Sequence, residues 1–297
     1  MSDPLAEIVS LLRPVPSIAK LVTAGGTWSV ERRELGSPFY CAIAEGRCLL
    51  TIAGRSPIVL ETGHFVLVPQ IHAFTMSSLQ PPSSGTLPQR LEIDPGVFRL
   101  GDPDALAEVS AMVGHCSFLA NDKQLLSSLL PDVIHARGER RLMDLVRMIH
   151  TEMVGGLSAR DMVLSRLLEV LFIDALRSAG RADTSPGLLR GLSDIRLAPA
   201  LRRIHQDPGG DMSVEELAVT SAMSRSAFFD RFRREVGVPP MEYVTGWRMA
   251  IAKDLLVRQE TALVEIAARI GYASASAFSV AFTRHVGITP GAFAKTA

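Results

Sequence analysis

Ser213-Val214-Glu215-Glu216-Leu217-Ala218-Val219-Thr220-Ser221-Ala222-Met223-Ser224-Arg225-Ser226-Ala227-Phe228-Phe229-Asp230-Arg231-Phe232 is a pattern that the chain writes twice. Glu216-Leu217-Ala218 returns as Glu265-Ile266-Ala267, an offset of 49. Phe228, Phe232, Arg234, Gly237 and Pro240 return as Phe278, Phe282, Arg284, Gly287 and Pro290, an offset of 50. The one-residue slip falls between two predicted helices, where an insertion costs least. Ser213 is placed as an N-cap with Glu216 three positions on, so the pair can satisfy the free amides of a helix start. Val214, Leu217 and Ala218 then repeat at helical spacing. After a turn through Ala222 and Met223, Ser224 caps a second helix whose inner face holds Phe228 and Phe232 and whose outer face holds Arg225, Phe229, Asp230, Arg233 and Arg234. In the second copy Glu265, Ile266, Ala267 and Ile270 form the support helix, Gly271 makes the turn, and Phe278 and Phe282 anchor the second helix. Two such units predict a reader of two successive major grooves.

These residues resemble the AraC/XylS family of bacterial transcription regulators. The family joins two helix-turn-helix motifs by one long helix, here Pro240 to Gln259 with Tyr243, Trp247, Ala250, Leu255 and Leu256 as core contacts. Its signature in the second copy corresponds to Gly271-Tyr272-Ala273-Ser274, Phe278, Phe282, Gly287, Pro290 and Phe293, and residues 194–297 match the plan throughout. The resemblance implies double-stranded DNA, an operator or promoter, as partner. It places base reading on Ser226, Phe229 and Asp230 in the first motif and on Ser276, Ser279 and Val280 in the second. Many relatives carry arginine or glutamine where this chain has Asp230 and Val280. Arginine bonds guanine through two donors, whereas aspartate accepts from cytosine and valine touches only a thymine methyl. A plainer reading pairs Asp230 with Arg234 one turn on. Phosphate contact is expected from Arg225, Arg231, Arg233 and Arg234 around the first recognition helix and from Thr283, Arg284 and His285 on the second.

Charge is consistent with this division. The 297 residues sum to zero, but residues 1–186 hold 17 Lys and Arg against 20 Asp and Glu (17 − 20 = −3), and residues 187–297 hold 14 against 11 (14 − 11 = +3). A basic C-terminal part suits a polyanion. No run approaches the roughly 18 apolar residues of a membrane span, and Met1-Ser2-Asp3-Pro4-Leu5-Ala6-Glu7 lacks a signal-peptide layout, so a cytoplasmic protein without a membrane partner is expected. Cys41, Cys48 and Cys116 form no CxxC pair, which argues against a disulfide framework or zinc ribbon.

The N-terminal part reads as short strands and tight turns: Phe39 to Leu50 broken at Glu45-Gly46, then Leu49 to Gly54, Ile58-Val59-Leu60, Glu61-Thr62-Gly63 and Phe65 to Pro69. This order, with His72 beyond Pro69, resembles the cupin barrel fused to a branch of AraC-like regulators, as does the opening Asp3-Pro4-Leu5 with Leu11-Leu12-Arg13. Cupin enzymes hold a metal through histidines and a glutamate. Residues 30–41 contain no histidine, and His64 and His72 alone fall short of the roughly three or four protein ligands a metal needs, so no metal, no cofactor and no enzyme activity are expected. A pocket for a small-molecule effector remains, with Trp28, Phe39, Cys41, His64, His72 and Phe74 as candidate lining. Phe39, Cys41 and Ile43 alternate along one strand. On the next, either Phe65, Leu67 and Pro69 or Val66 and Val68 face inward, and alternation alone leaves both open. A packed barrel used only for assembly is the plain alternative. His115-Cys116 raises another, an activated thiol, with Cys116 as the candidate redox residue against the commoner buried structural cysteine.

Leu142, Leu145, Val146, Ile149 and Met153 repeat at helical spacing, and Met162, Leu164, Leu167, Leu168, Leu171, Phe172 and Leu176 predict a second, longer helix that is apolar over much of its girth and must be covered by the barrel, its neighbour or another subunit. By resemblance they form a homodimer contact and relay the effector signal; by periodicity they are equally a core element. The polar stretch 180–187 reads as a flexible joint and the Ser/Pro-rich stretch 77–88 as a mobile loop. The expected fold is α+β: a cupin-like barrel (1–135), a helical dimerisation and relay segment (136–180), a linker (181–193) and an all-α DNA-binding domain with two helix-turn-helix motifs (194–297). The expected function is an effector-responsive DNA-binding transcription activator that works with RNA polymerase. A thiol-based regulator of the same fold, or a metal-dependent cupin enzyme with an appended DNA module, are the alternatives.

Overall fold

Alternating apolar residues separated by turn formers give eleven strands in the computed structural model, which describes residues 3–32, 37–69, 73–82, 90–118, 130–179, 186–259 and 261–296. They are β1 (Pro14–Gly25), β2 (Ser29–Arg32), β3 (Phe39–Glu45), β4 (Arg47–Ile52), β5 (Ile58–Glu61), β6 (His64–Val68), β7 (Phe74–Ser77), β8 (Arg90–Asp94), β9 (Val97–Gly101), β10 (Val109–Phe118) and β11 (Ile134–Arg137). One sheet runs β11-β6-β3-β10-β1-β9-β8 and the other β2-β7-β4-β5. Only the β1–β9 pair among these is parallel. Each sheet turns one face toward a shared apolar interior, the arrangement of a small barrel-like sandwich.

Register settles the ambiguity of the strand around residue 66. Phe39 lies opposite Val68 and Cys41 opposite Val66, and directly opposed residues share a face. The interior therefore takes Phe39, Cys41, Ile43, Val66 and Val68, with Cys48, Leu50 and Leu60 from the second sheet. Tyr40, Ala42, Phe65 and Leu67 point to the other face of the first sheet and are equally buried, because two helices lie over it: α2 (Arg140–Gly155) and α3 (Arg160–Ala179) pack on each other, and α3 packs on β1 and β11. Phe172 meets Phe118 edge-on at 5.3 Å between ring centres. The greasy girth of α3 is thus largely spent on the sheet through Leu164, Leu168, Leu171 and Phe172, each worth about 1.5–3 kcal/mol when fully buried.

The remaining helices form a second unit: α1 (Pro4–Leu12), α4 (Leu188–Ser193), α5 (Ala198–Gln206), α6 (Val214–Thr220), α7 (Arg225–Val236), α8 (Pro240–Arg258), α9 (Leu263–Arg269), α10 (Ala275–Val286) and α11 (Pro290–Thr296). Among the described residues this unit comprises 3–12, 130, 186–259 and 261–296, and the barrel unit comprises those between 13 and 118 and between 131 and 179. The first helix therefore belongs with the C-terminal helices, packing on α5 and α8, although it precedes the barrel in sequence. Of the predicted joint, residues 180–185, and of the predicted loop, residues 83–88, lie outside the described residues.

Gly114 on β10 sits opposite Tyr40, and a Cβ there would fall 2.0 Å from Cζ of the ring. A flat ring buried under helices has nowhere to go. Gly114→Ala is expected to lower unfolding stability by about 1–3 kcal/mol, the usual cost of overpacking a core, read by chemical denaturation.

Candidate nucleic-acid interface and barrel cavity

The first helix-turn-helix is α6 and α7. Ser213 Oγ accepts the Glu216 amide at 3.2 Å and the Glu216 carboxylate accepts the Ser213 amide at 3.0 Å, the reciprocal cap expected from the sequence. Ser224 and Ser274 cap α7 and α10 by one bond each, accepting the amides of Ala227 and Ala277, with no return bond from those alanines. Phe228, Phe232, Phe278 and Phe282 are fully buried. Both recognition helices stop at a left-handed glycine, Gly237 and Gly287, whose amide returns to the carbonyl of Arg233 or Thr283.

The two turns differ. Gly271 has φ +80° and Ala222, its counterpart, φ +50°, so a left-handed residue is required in both and glycine supplies it only once. A Cβ at Gly271 would also lie 2.6 Å from the Gly209 carbonyl oxygen and 2.9 Å from Nη2 of Arg248. The extra residue of the second copy is Ala273, just after this turn.

The joining helix α8 holds both motifs. Tyr243 meets Phe232 edge-on at 5.7 Å, and Met249, Ala252, Leu255 and Leu256 enter one core with Ile266, Phe278 and Phe282. Arg248 donates to the carbonyls of Pro208 at 2.7 Å and Gly210 at 2.8 Å, closing the loop after α5 onto the helix. His205 at the end of α5 lies tilted against Trp247 with ring centres 4.0 Å apart, contacts the Tyr243 hydroxyl at 2.8 Å and reaches Glu7 of α1 at 3.3 Å. Burial lowers its pKa, although Glu7 opposes the shift.

Ser226, Asp230, Ser276 and Val280 stand exposed, and Phe229 and Ser279 half-exposed, on the outer faces of the recognition helices. Val280 is 71% exposed. Ser279 and Thr283 hydroxyls donate to helix carbonyls one turn back, of Ala275 and Ser279, both at 2.7 Å. Arg225, Arg233, Arg234 and Arg284 are exposed and His285 half-exposed. Arg225 pairs with Glu215 at 2.9 Å, and Arg234 pairs with its neighbour Glu235 at 2.9 Å, where the sequence offered Asp230. Arg231 stands apart: its Nε donates to Asp194 at 2.7 Å, and Asp194 also accepts the amides of Arg196 and Leu197 at the head of α5. Burial alone would raise the Asp194 pKa; these donors, Arg231 first, outweigh it and lower it. Arg190 holds Glu235 at 2.6 Å in the same buttress. Arg231 and Glu235, one turn apart on α7, thus fix how the helix is seated against α4 and the head of α5.

Inside the barrel is a cavity of about 350 Å³. Of the predicted lining, Trp28, Phe39 and Phe74 border it, with Phe39 and Phe74 rings 4.5 Å apart. Cys41 lies deeper in the packed interior and does not border the cavity. His64 is absent from the wall because it starts β6 at the far rim, where Nδ1 accepts the Glu61 amide and meets Nε2 of His135 at 3.1 Å. His72 lies outside the described residues. The sequence reading missed β1, which supplies Ile18, Lys20, Val22 and Ala24, and β10, which supplies Val109, Ala111, Val113 and His115. Their every-second-residue spacing was the available signal.

His115 and Cys116 are neighbours in sequence only. Successive strand residues face opposite sides, so His115 borders the cavity while Cys116 is sealed on the other face. Burial lowers the His115 pKa to about 3, helped by Arg32 and Lys20 and opposed by a backbone bond at Pro38. All three cysteines are buried. Burial pushes the Cys48 thiol up to about 12 and raises Cys41 and Cys116 as well, the reverse of a reactive thiolate. Among the described residues no group of three or more His, Cys, Asp and Glu side chains could hold a metal ion, and no helix is long and apolar enough to cross a membrane.

Gly271→Ala combines strain with a clash and is expected to destabilise the helical unit by about 1–3 kcal/mol, while Ala222→Gly relieves strain and is expected to be neutral or stabilising by up to about 1 kcal/mol. Thermal unfolding of both variants checks the pair.

Residues 3–179 match a cupin family and residues 217–296 a helix-turn-helix domain family. A putative AraC-like transcription regulator from Streptomyces antibioticus is 32% identical, over 99% of this chain and 98% of the relative. The RCS-specific HTH-type transcriptional activator RclR of Escherichia coli (strain K12) is 28% identical over 98% of this chain and 96% of its own length. Among solved structures, the DNA-binding domain of the global transcriptional factor AdpA in complex with a target DNA is 29% identical, with a TM-score of 0.33, covering 35% of this chain and 93% of that one. With a capped and duplicated helix-turn-helix behind a cupin domain, the chain belongs to the AraC-like family of DNA-binding transcription regulators.

Proposed function

We propose that the chain is an effector-responsive transcription activator, whose barrel binds a small molecule and whose two recognition helices read adjacent major grooves of an operator. The observation that carries the effector reading is the cavity of about 350 Å³ walled by both sheets, within the range of small-ligand pockets. The activator role follows the relative whose name states it, and implies RNA polymerase as a further partner. Homodimerisation is supported by Met148, Val154, Leu157 and Met162, large apolar side chains that α2, α3 and their connection leave exposed. The protein in this reading is cytoplasmic and has no enzymatic activity, metal or cofactor. The buried, protonated state of the thiols weighs against the thiol-sensor alternative.

Effector binding acts on DNA only if the ligand has unequal affinity for two arrangements of the reader. Covalent continuity offers a route. β1 carries four of the cavity residues, and through Arg13 it continues directly into α1, which packs on α5 and α8 and places Glu7 against His205. A shift of β1 on ligand binding would pull on the helix that braces the joining helix.

Selection of binding sites from random duplexes with the full chain, at stated salt, is expected to enrich two short motifs about one helical turn apart. Substituting Arg233 or Arg284 by alanine should weaken binding to all sequences alike and reduce the salt slope by about 1 each, whereas Asp230→Ala should relax preference at one position. Salt-sensitive binding with no enriched motif would sink the sequence-specific reading. For the route through α1, Glu7→Gln with Ile8→Ala is expected to leave operator binding intact and abolish its response to effector in a reporter assay; an unchanged response overturns that route.

A further inference from the structure

We propose that Asp194 and Arg231 set the base preference of the first half-site, as positioning residues that hold the first recognition helix at one rotation about its axis and touch no DNA themselves. This deepens the reading in which both recognition helices enter major grooves, and rests on it. Asp194 is a prepared acceptor. Its side chain is only 9% exposed; Oδ1 takes the amides of Arg196 at 2.9 Å and Leu197 at 3.3 Å, and Oδ2 takes Nε–H of Arg231 at 2.7 Å. One turn further along α7, Glu235 accepts Nε–H of Arg190 at 2.6 Å. Positions 231 and 235 lie on one stripe of the helix, so two ionic ties a turn apart resist rotation as well as sliding.

Rotation is what a reading helix tolerates least. Side chains reach about 5–6 Å from a helix axis, so a turn of about 10° moves their tips by about 1 Å. That is twice the roughly 0.5 Å range over which an N–H···O bond keeps its length. Arg231 lies about 160° round the helix from Phe229, so its bond to Asp194 sits behind the reading face. The second recognition helix is seated differently. Position 281, fifty residues on from Arg231, is alanine, and it packs on the apolar core around Phe278 and Phe282. Apolar burial is non-directional and fixes depth better than angle, whereas a hydrogen bond is directional. Of the two readers, only the first has an arginine at this position, so removing the ion pair distinguishes the half-sites.

The test selects binding sites from random duplexes with the full chain, using Asp230→Ala and Val280→Ala to assign the first and second half-sites. Asp194→Asn keeps the shape of the acceptor and removes its charge, and Arg231→Gln removes the cation. Each is expected to flatten the base preference of the first half-site by at least about fivefold, the size of one lost base contact, while the second half-site stays sharp. Arg231→Lys, which keeps the charge, should retain most of the preference. The salt slope should stay at the wild-type value in all three, whereas losing a phosphate contact lowers it by about 1. Thermal unfolding identifies folded variants, and either charge-removing variant decides the matter if the other does not fold. A salt slope lowered by about 1 in Arg231→Gln makes that residue a phosphate contact and overturns the proposal. Equal loss at both half-sites, or a uniform loss of affinity with both preferences kept, reduces the pair to a prop for the fold and overturns it as well, as does an unchanged selection. If the wild-type chain enriches no motif, both this proposal and the sequence-specific reading fail.

Discussion

The joining helix is the constraint on which the reader unit depends. Most surface helices bury one stripe, but this one is buried on nearly every side, through Tyr243, Val244, Trp247, Met249, Ala250, Ala252, Leu255 and Leu256. Such a helix has no stable existence by itself. It acquires order from two partial cores that meet on it: the aromatic set of Phe228, Phe232 and Tyr243 on one side and Phe278, Phe282 and Phe293 on the other. Arg248 adds the polar part, two charge-assisted bonds to carbonyls of the loop after α5, each stronger than a neutral hydrogen bond. Neither motif is complete without the helix between them, so the two recognition helices are parts of one body.

In the barrel the corresponding constraint is pleating. Because β10 alternates, its odd residues from Val109 to His115 enter the cavity, while Met112, Gly114 and Cys116 lie under the helices. Gly114 is small there because Tyr40 crosses it. The same alternation separates imidazole from thiol at His115 and Cys116 and gives them opposite chemistry: one faces a charged rim, the other a sealed core.

The helical half was legible in the sequence because its information is local. A cap such as Ser213 with Glu216 acts within a turn of helix, and the glycine exits at Gly237 and Gly287 are conformational requirements written one residue at a time. Their repetition doubled the signal. The barrel was less legible because its contacts join distant segments: which face of Val66 or Leu67 is inward depends on a partner strand some 25 residues away in sequence, Phe39 to Ala42. The cavity suffered most. Much of its wall comes from β1 and β10, whose alternation is masked by small residues such as Ala19, Gly114 and Ser110 that read equally well as loop. Histidines near a strand end drew attention to His64, although its position at the rim directs it to His135. The docking of the first helix had no local signature either, since Glu7 finds His205 across 198 positions of chain.

A shared rod between two readers sets more than their distance. The 19-residue helix is about 28 Å long, and each residue along it turns the chain by about 100°. One residue inserted in its middle would swing the second recognition helix a quarter-turn or more around the rod, out of phase with the next groove on the same side of the duplex. The natural slip of one residue sits instead at Ala273, in a turn, where it is absorbed before the next helix begins. If both recognition helices enter grooves on one side of the duplex, as proposed, the rod has to match the helical repeat of DNA, whereas a turn can take up an extra residue.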